Sequence, residues 1–502
     1  MNTDTVGALL RDQADARSDH PLLVCDADHL TYAAAHERSA QLARGLVGLG
    51  AGKGTHIGLL FPNGTDFVVA MLAAARIGAV VVPFSTFATR AELADQLTHS
   101  DTEILLATAA YRDHDYVDRL AGVSAPCLRH VVFDSRIAAA ADPAHVNALG
   151  ADVDGCDPLA IIYTSGSTGS PKGAVHTHAV LLAHQRNLNG IRGLSTSDRL
   201  FCNSPFFWIG GFGFALLATL VAGSTLVCST APDPGATLDL LEAVRPTMTN
   251  GFAAGVAHLA RHDSFPRRDL SSMRRGNLYP IMAPASRPHD PELRHNMLGM
   301  TEAGSVVLLS GDETDQPEHR RGSFGKPAPG FATRIVDPGS SRPVAPGDVG
   351  ELCLRGPYLM QHYYKRSRED CFDPDGWFHT GDLVRTDPDG FYYFLGRRGS
   401  MIKTAGANVS PTEVEKAIAS VTGGMTAYVV GLPDSQRGQV VAAALVVADG
   451  QDLDEATLRA DLKDVLSAYK IPRRFVAVRP TEVPLLSSGK VDIRRLTELF
   501  DA

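Results

Sequence analysis

The stretch Tyr163–Ala174, YTSGSTGSPKGA, collects residue types that hold phosphate. Gly166, Gly169 and Gly173 let a backbone turn tightly and approach a ligand. Ser165, Ser167 and Thr168 set hydroxyls beside exposed N–H groups, a nest of donors suited to phosphate oxygens. Lys172 adds a mobile positive charge, but Gly173 and Ala174 follow it, so the order is not the GxxxxGK[ST] loop of P-loop NTPases. By composition alone the stretch reads rather as a flexible surface loop. Four more side chains have fitting chemistry. Glu302, in LGMTEAG, is a hard oxygen donor suited to Mg2+. Asp382, in HTGD, can accept two hydroxyl protons at once, and Arg397, in GRRG, can hold an anion. Lys490, in SSGK, can bridge a carboxylate and a phosphate where negative charge concentrates. Taken singly, each is also an ordinary turn or surface residue.

The elements that must position these residues follow from the apolar pattern. HIGLLF (56–61) and AVVVPF (79–84) read as buried strands, and GTDFVVAMLAAARIG between them as a helix stopped by Gly78. AELADQLTHSD followed by EILLAT repeats the unit, and RHVVFD and LAIIYTSG are further strands. After about Arg334, short strands separated by Gly, Pro and Asp (ATRIVDP, GELCLRG, YYFLGR) predict a smaller β-rich module. SPTEVEKAIAS predicts a helix capped by Ser410, with Pro411 in its first turn and Glu413 as the capping-box acid. AAALVVA and DEATLRADLKDVL read as a strand and an amphipathic helix. The expected fold is α/β. Residues 1–396 form a large N-terminal domain of layered sheets plus the β-rich module, and residues 397–502 a small, mobile α+β domain.

Composition narrows the classes. The 502 residues are 44 % apolar and 21 % charged, ordinary globular values. A net charge of −9 argues against a general nucleic-acid binder. The seven cysteines are scattered without a CxxC pair, so neither a zinc site nor a disulfide framework is suggested. The N-terminus lacks a signal-peptide pattern and FGFALLATLVAG is too short to span a bilayer, so a cytoplasmic protein is expected.

Taken together and in order, the motifs resemble the AMP-forming acyl-CoA synthetase superfamily of adenylate-forming enzymes, fatty-acid–CoA ligases among them. YTSGSTGSPKGA is similar to its phosphate loop, LGMTEAG to its adenine and magnesium motif, and GWFHTGDLVRTDPDGFYYFLGRRGSMIKTAGANVSPTEVE to its longest signature. YKIPRRF and PLLSSGKVDIRRL resemble its C-terminal end, and the likeness covers nearly the whole chain. The resemblance implies ATP, Mg2+ and CoA. Thr164, Ser165, Gly166, Ser167, Thr168, Gly169 and Lys172 would hold the phosphates, with Thr164 and Glu302 at the metal. Leu298, Gly299, Met300, Thr301, Asp382, Phe394 and Arg397 would complete the nucleotide site, Thr301 at the α-phosphate and Asp382 at the ribose. Lys490 would catalyse adenylation, Gly399 would be the hinge, and Lys403 and Gly406 would serve thioester formation.

Three departures stand out. Gly399 replaces the usual Asp or Lys of the hinge, and Trp208 the usual His of the acyl-site mouth. No Gly-Gly-Ala loop precedes LGMTE, the spacing looks shortened, and Leu298 stands where an aromatic ring usually meets adenine. The expected acyl pocket, Phe207, Trp208, Gly211, Phe212 and Phe252, is apolar, with no charge placed for an α-amino group. A hydrophobic acid (fatty, branched, aryl or steroid-type) with CoA as acceptor is therefore expected. An acyl-AMP ligase loading a carrier protein and a non-catalytic nucleotide- or acyl-binding protein on the same fold are the alternatives. A homodimer is left open.

Overall fold

The computed structural model describes residues 4–135, 137–164, 172–398, 402–447, 453–484 and 491–501. The chain divides into two compact units. One comprises residues 1–86, 97–163 and 173–395, the other residues 87–96, 164–172 and 396–502.

The first unit contains two six-stranded sheets. In one, the order is Lys172–Thr177, Pro158–Thr164, Val80–Pro83, His56–Leu60, Ile104–Ala107, His130–Phe133. His56–Leu60 pairs in parallel with both Val80–Pro83 and Ile104–Ala107, as strand-helix-strand units require. The intervening helix, Thr65–Arg76, is buried along almost its whole length and is apolar on all sides, as a core helix must be. In the other sheet the order is Arg275–Gly276, Met248–Asn250, Arg199–Cys202, Thr225–Cys228, Pro21–Cys25, Asp28–Thr31. It is parallel except for its last pair. One continuous core joins residues of both sheets, including Phe67, Met71, Leu106, Ile162, Phe206 and Phe212.

A three-stranded sheet (Leu298–Met300, Ser305–Leu309, Lys326–Pro327) and a four-stranded sheet (Ala332–Val336, Gly350–Arg355, Phe378–Thr386, Tyr392–Arg397), whose first three strands pair antiparallel, follow in the chain. The latter is the β-rich module expected after Arg334. Between Gly276 and Leu298 the chain makes short 3-10 turns at Tyr279–Ile281, Pro284–Ser286 and Pro291–Leu293.

In the second unit, the strands Ala407–Val409, Ile402–Thr404, Gly438–Val446 and Ala427–Asp434 pair in that order, with Arg474–Val478 parallel to Gly438–Val446. The helix Pro411–Val421 is capped by Ser410, whose hydroxyl accepts from Glu413 N, as its sequence predicts. The Glu413 carboxylate, expected to close a capping box, instead accepts from Lys470 Nζ at 2.7 Å. Lys470 also donates to Glu92 at 2.6 Å, and Ser467 donates to the other Glu92 oxygen at 2.6 Å. All three charged groups are largely buried. Burial opposes charge on Lys470, yet Tyr469 and the two carboxylates outweigh it and raise its pKa. Burial raises the Glu413 pKa, whereas at Glu92 the nearby ammonium reverses the effect of burial and lowers it. Among the described residues, no helix is long and apolar enough to cross a membrane.

Candidate active site

The metal-motif residue Glu302 sits in a tight turn joining the antiparallel strands Leu298–Met300 and Ser305–Leu309. The turn is a 3-10 helix, Thr301–Ala303, ended by Gly304 at φ 67°. A Cβ on Gly304 would lie 2.9 Å from Leu181 Cδ2, so backbone conformation and space both demand glycine here.

The carbonyls of this segment are paired. His176 Nε2 donates to Thr301 O at 2.7 Å, Met360 N to Glu302 O at 2.7 Å, Gln185 Nε2 to Gly304 O at 3.4 Å, and His184 Nε2 to Val306 O at 3.0 Å. Three of these donors come from the strand Lys172–Thr177 and the helix His178–Arg192 that follows it. Burial pushes His176 and His184 down to about 4, so both rings are neutral near pH 7. Because a carbonyl can only accept, the single ring proton of each lies on Nε2. The buried Glu302 carboxylate accepts from the Tyr363 hydroxyl at 2.7 Å through Oε1. Among the described residues its other oxygen has no hydrogen-bond partner. Mg2+ typically takes one or two carboxylates and completes its shell with phosphates and water. A fixed carboxylate with one oxygen left over fits that need.

Asp382 is buried at the centre of the four-stranded sheet. Its N–H donates to Thr380 Oγ1 at 3.0 Å, and the Thr380 hydroxyl donates to Leu352 O at 2.7 Å. Gly381 N donates to the buried Glu351 carboxylate at 2.9 Å. The HTGD backbone is thus held from the adjacent strand, leaving Asp382 in a defined place. Phe394 faces Phe324 with ring centroids 5.8 Å apart. Leu298 and Met300 are buried in the same apolar cluster, and Gly299 between them is exposed.

The apolar residues meet where the parallel strands Arg199–Cys202 and Met248–Asn250 end, the carboxyl-end position favoured by ligands of parallel sheets. Trp208 packs edge-to-face on Phe252 (6.0 Å) and on Phe207 (5.5 Å). Phe212 belongs to the main core, edge-on to Phe67. A Cβ on Gly211 would sit 2.1 Å from Pro205 O, so Gly211 allows a close backbone approach. Three asparagines that motif reasoning passes over hold this region. Asn63 bonds both Ser204 O and Phe206 N, Asn203 bonds both N and O of Phe252, and Asn277 bonds both N and O of Gly251. A side-chain amide has the donor and acceptor of a peptide group, so each extends the pairing past the strand ends. Asn277 also lines a shallow cleft with Asn250, Gly276, Tyr279, Met297 and Glu313 among others. Asn277 and Tyr279 stand in the segment before LGMTE that lacks a Gly-Gly-Ala loop.

In the second unit, Lys403 is exposed on the strand Ile402–Thr404, and Gly406, at φ 85°, shares with Ala405 the two-residue turn into Ala407–Val409. Thr164 and Lys172 end and begin their strands. Ser165, Gly166, Ser167, Thr168 and Gly169, the expected hinge Gly399 and the expected catalyst Lys490 lie outside the described residues. The sequence signal for Tyr363 and His176 was slight, because their partners Glu302 and Thr301 are 61 and 125 positions away.

The chain matches the family described as AMP-binding enzyme over residues 10–364 and the AMP-binding enzyme C-terminal domain over residues 413–490, and it belongs to that family. It is 34 % identical over 476 residues to feruloyl-CoA synthase from Amycolatopsis sp, covering 93 % of this chain and 94 % of the relative. Over 520 residues it is 31 % identical to the 3-[(3aS,4S,7aS)-7a-methyl-1,5-dioxo-octahydro-1H-inden-4-yl]propanoyl:CoA ligase of Mycobacterium tuberculosis, covering 99 % of each. Among solved structures it is similar to the amide bond synthetase McbA from Marinactinospora thermotolerans, with a TM-score of 0.81, 26 % identity and 99 % of each chain covered. The protein is an AMP-forming acid–CoA ligase that uses ATP, Mg2+ and CoA.

Proposed function

We propose that the enzyme activates a hydrophobic carboxylic acid, with the wall formed by Trp208 and Phe252 at the strand ends as the observation that carries this reading. Aromatic faces meeting edge-to-face offer a large apolar surface to an aliphatic or ring-bearing acid. The relatives named as a feruloyl-CoA synthase and as a (methyl-dioxo-octahydroindenyl)propanoyl:CoA ligase support a ring-bearing class of acid.

In the first half-reaction the substrate carboxylate attacks the α-phosphorus of ATP and pyrophosphate leaves. Positioning and charge neutralisation supply most of the acceleration in such transfers. Lys172 and the hydroxyls of Thr164, Ser165, Ser167 and Thr168 hold the departing phosphates. Thr301 bonds the α-phosphate, Asp382 the ribose hydroxyls, and Arg397 the nucleotide. Glu302 and Thr164 would hold Mg2+, whose charge would offset that of the phosphates. Lys490 neutralises charge between carboxylate and α-phosphate. In the second half-reaction the CoA thiolate attacks the acyl carbonyl and AMP leaves, with Lys403 and Gly406 beside the pantetheine arm. Gly399 is the hinge between residues 1–396 and 397–502. The CoA-ligase names of the relatives support CoA over a carrier protein as the acceptor.

The test is ATP–pyrophosphate exchange and CoA-ester formation across fatty, aryl and steroid-type acids, with short charged acids as controls. Strong turnover of a hydrophobic acid is expected. Preference for a short charged acid would overturn the reading.

A further inference from the structure

We propose that Tyr363 is a positioning residue for the metal–phosphate step: its phenol holds one oxygen of Glu302 and leaves the other for Mg2+. The inference rests on the reading of Glu302 as the metal ligand. The Tyr363 hydroxyl donates to Glu302 Oε1 at 2.7 Å, and both side chains are buried. A buried carboxylate without such a partner would be poorly solvated and free to rotate. The segment carrying Tyr363 is itself fixed. Met360 N donates to Glu302 O at 2.7 Å, so one short stretch holds the backbone and the side chain of Glu302 together.

The same stretch is laced to the strand Lys172–Thr177, which begins within the phosphate-loop sequence. Gln361 N donates to Val175 O (2.9 Å), Val175 N to His362 O (3.0 Å), and Tyr364 N to Gly173 O (2.7 Å). Ala174 and Tyr363 form an isolated antiparallel bridge. The backbone around Tyr363 thus bonds to that strand while its phenol bonds to the Glu302 carboxylate. Groups that orient a metal ligand typically change metal affinity about 10–100-fold when removed.

The test compares Tyr363→Phe, Glu302→Gln and the double variant. The probe is Mn2+ in place of Mg2+, followed by electron paramagnetic resonance with a non-hydrolysable ATP analogue. Pyrophosphate exchange is measured in parallel against Mg2+ concentration. Phe keeps the ring that packs against Phe378 and removes only the hydroxyl. Expected are a roughly tenfold weaker Mn2+ affinity for Tyr363→Phe, an exchange defect that excess Mg2+ reverses, and a double variant no weaker than Glu302→Gln alone. Loss with Glu302→Gln but not with Tyr363→Phe would overturn the role of Tyr363 and leave Glu302 in place. No loss with either would overturn the reading of Glu302 itself. Further loss in the double variant would show that Tyr363 acts elsewhere and also overturn the inference. That comparison stands even if the single Tyr363→Phe protein does not fold, because Glu302→Gln removes the stranded charge.

Discussion

In the proposed mechanism Lys490 and Glu302 would act on the same nucleotide with opposite charges, and their removal should have separable effects. Lys490→Ala is expected to slow adenylation by about 10²–10³, the scale of losing one preorganised charge-stabilising contact. Thioester formation from supplied acyl-AMP should be largely retained. Pyrophosphate exchange measures the first step and CoA-ester release the second, and equal loss in both would remove Lys490 from its assigned role. Chemistry-bearing residues inside contiguous motifs were legible because type and spacing occur together: Glu302 in GMTE, Asp382 in HTGD. Tyr363, His176 and the three asparagines were not. Each acts on a backbone or carboxylate distant in sequence, and nothing local separates Asn203 from any other asparagine after a strand.

The Thr301–Gly304 turn is where element geometry and site chemistry meet. Gly304→Ala would force a side chain into φ 67° and within 2.9 Å of Leu181. The expected cost is about 1–3 kcal/mol of stability, seen as a lower urea midpoint, together with a higher KM for magnesium-ATP. An unchanged midpoint would contradict the strain argument. Elements with a strong apolar period were read with nearly their observed bounds. HIGLLF gave His56–Leu60, and the helix between the two strands runs Thr65–Arg76. The segment from Gly276 to Leu298 was not legible, since its proline-rich 3-10 turns carry neither a period of two nor one of 3.6. The reciprocal cap expected of Glu413 failed for a different reason. A buried ammonium competes for that carboxylate, and charge pairing in a buried setting outweighs a neutral N–H.

At the scale of the whole molecule, buried histidines set the response to acid. His176, His178 and His184 are each pushed by burial to about 4, below the ordinary value of 6.5. The unfolded chain therefore binds more protons than the folded one between those values. Stability from these groups is complete above pH 6.5 and is lost as pH falls toward 4. Each histidine contributes up to about 3 kcal/mol. The urea midpoint should hold steady from pH 8 to 7 and then drop steeply, and a flat profile down to pH 4.5 would contradict this. The Lys470 cluster matters to anyone recombining these ligases. Its second carboxylate, Glu92, is borrowed from residues 87–96, more than three hundred positions upstream. A chimera that exchanges only the stretch after residue 396 would pair a foreign lysine with a resident acid. Grafts of this portion should therefore carry residues 87–96 with them, and evolutionary exchange of the C-terminal portion faces the same constraint.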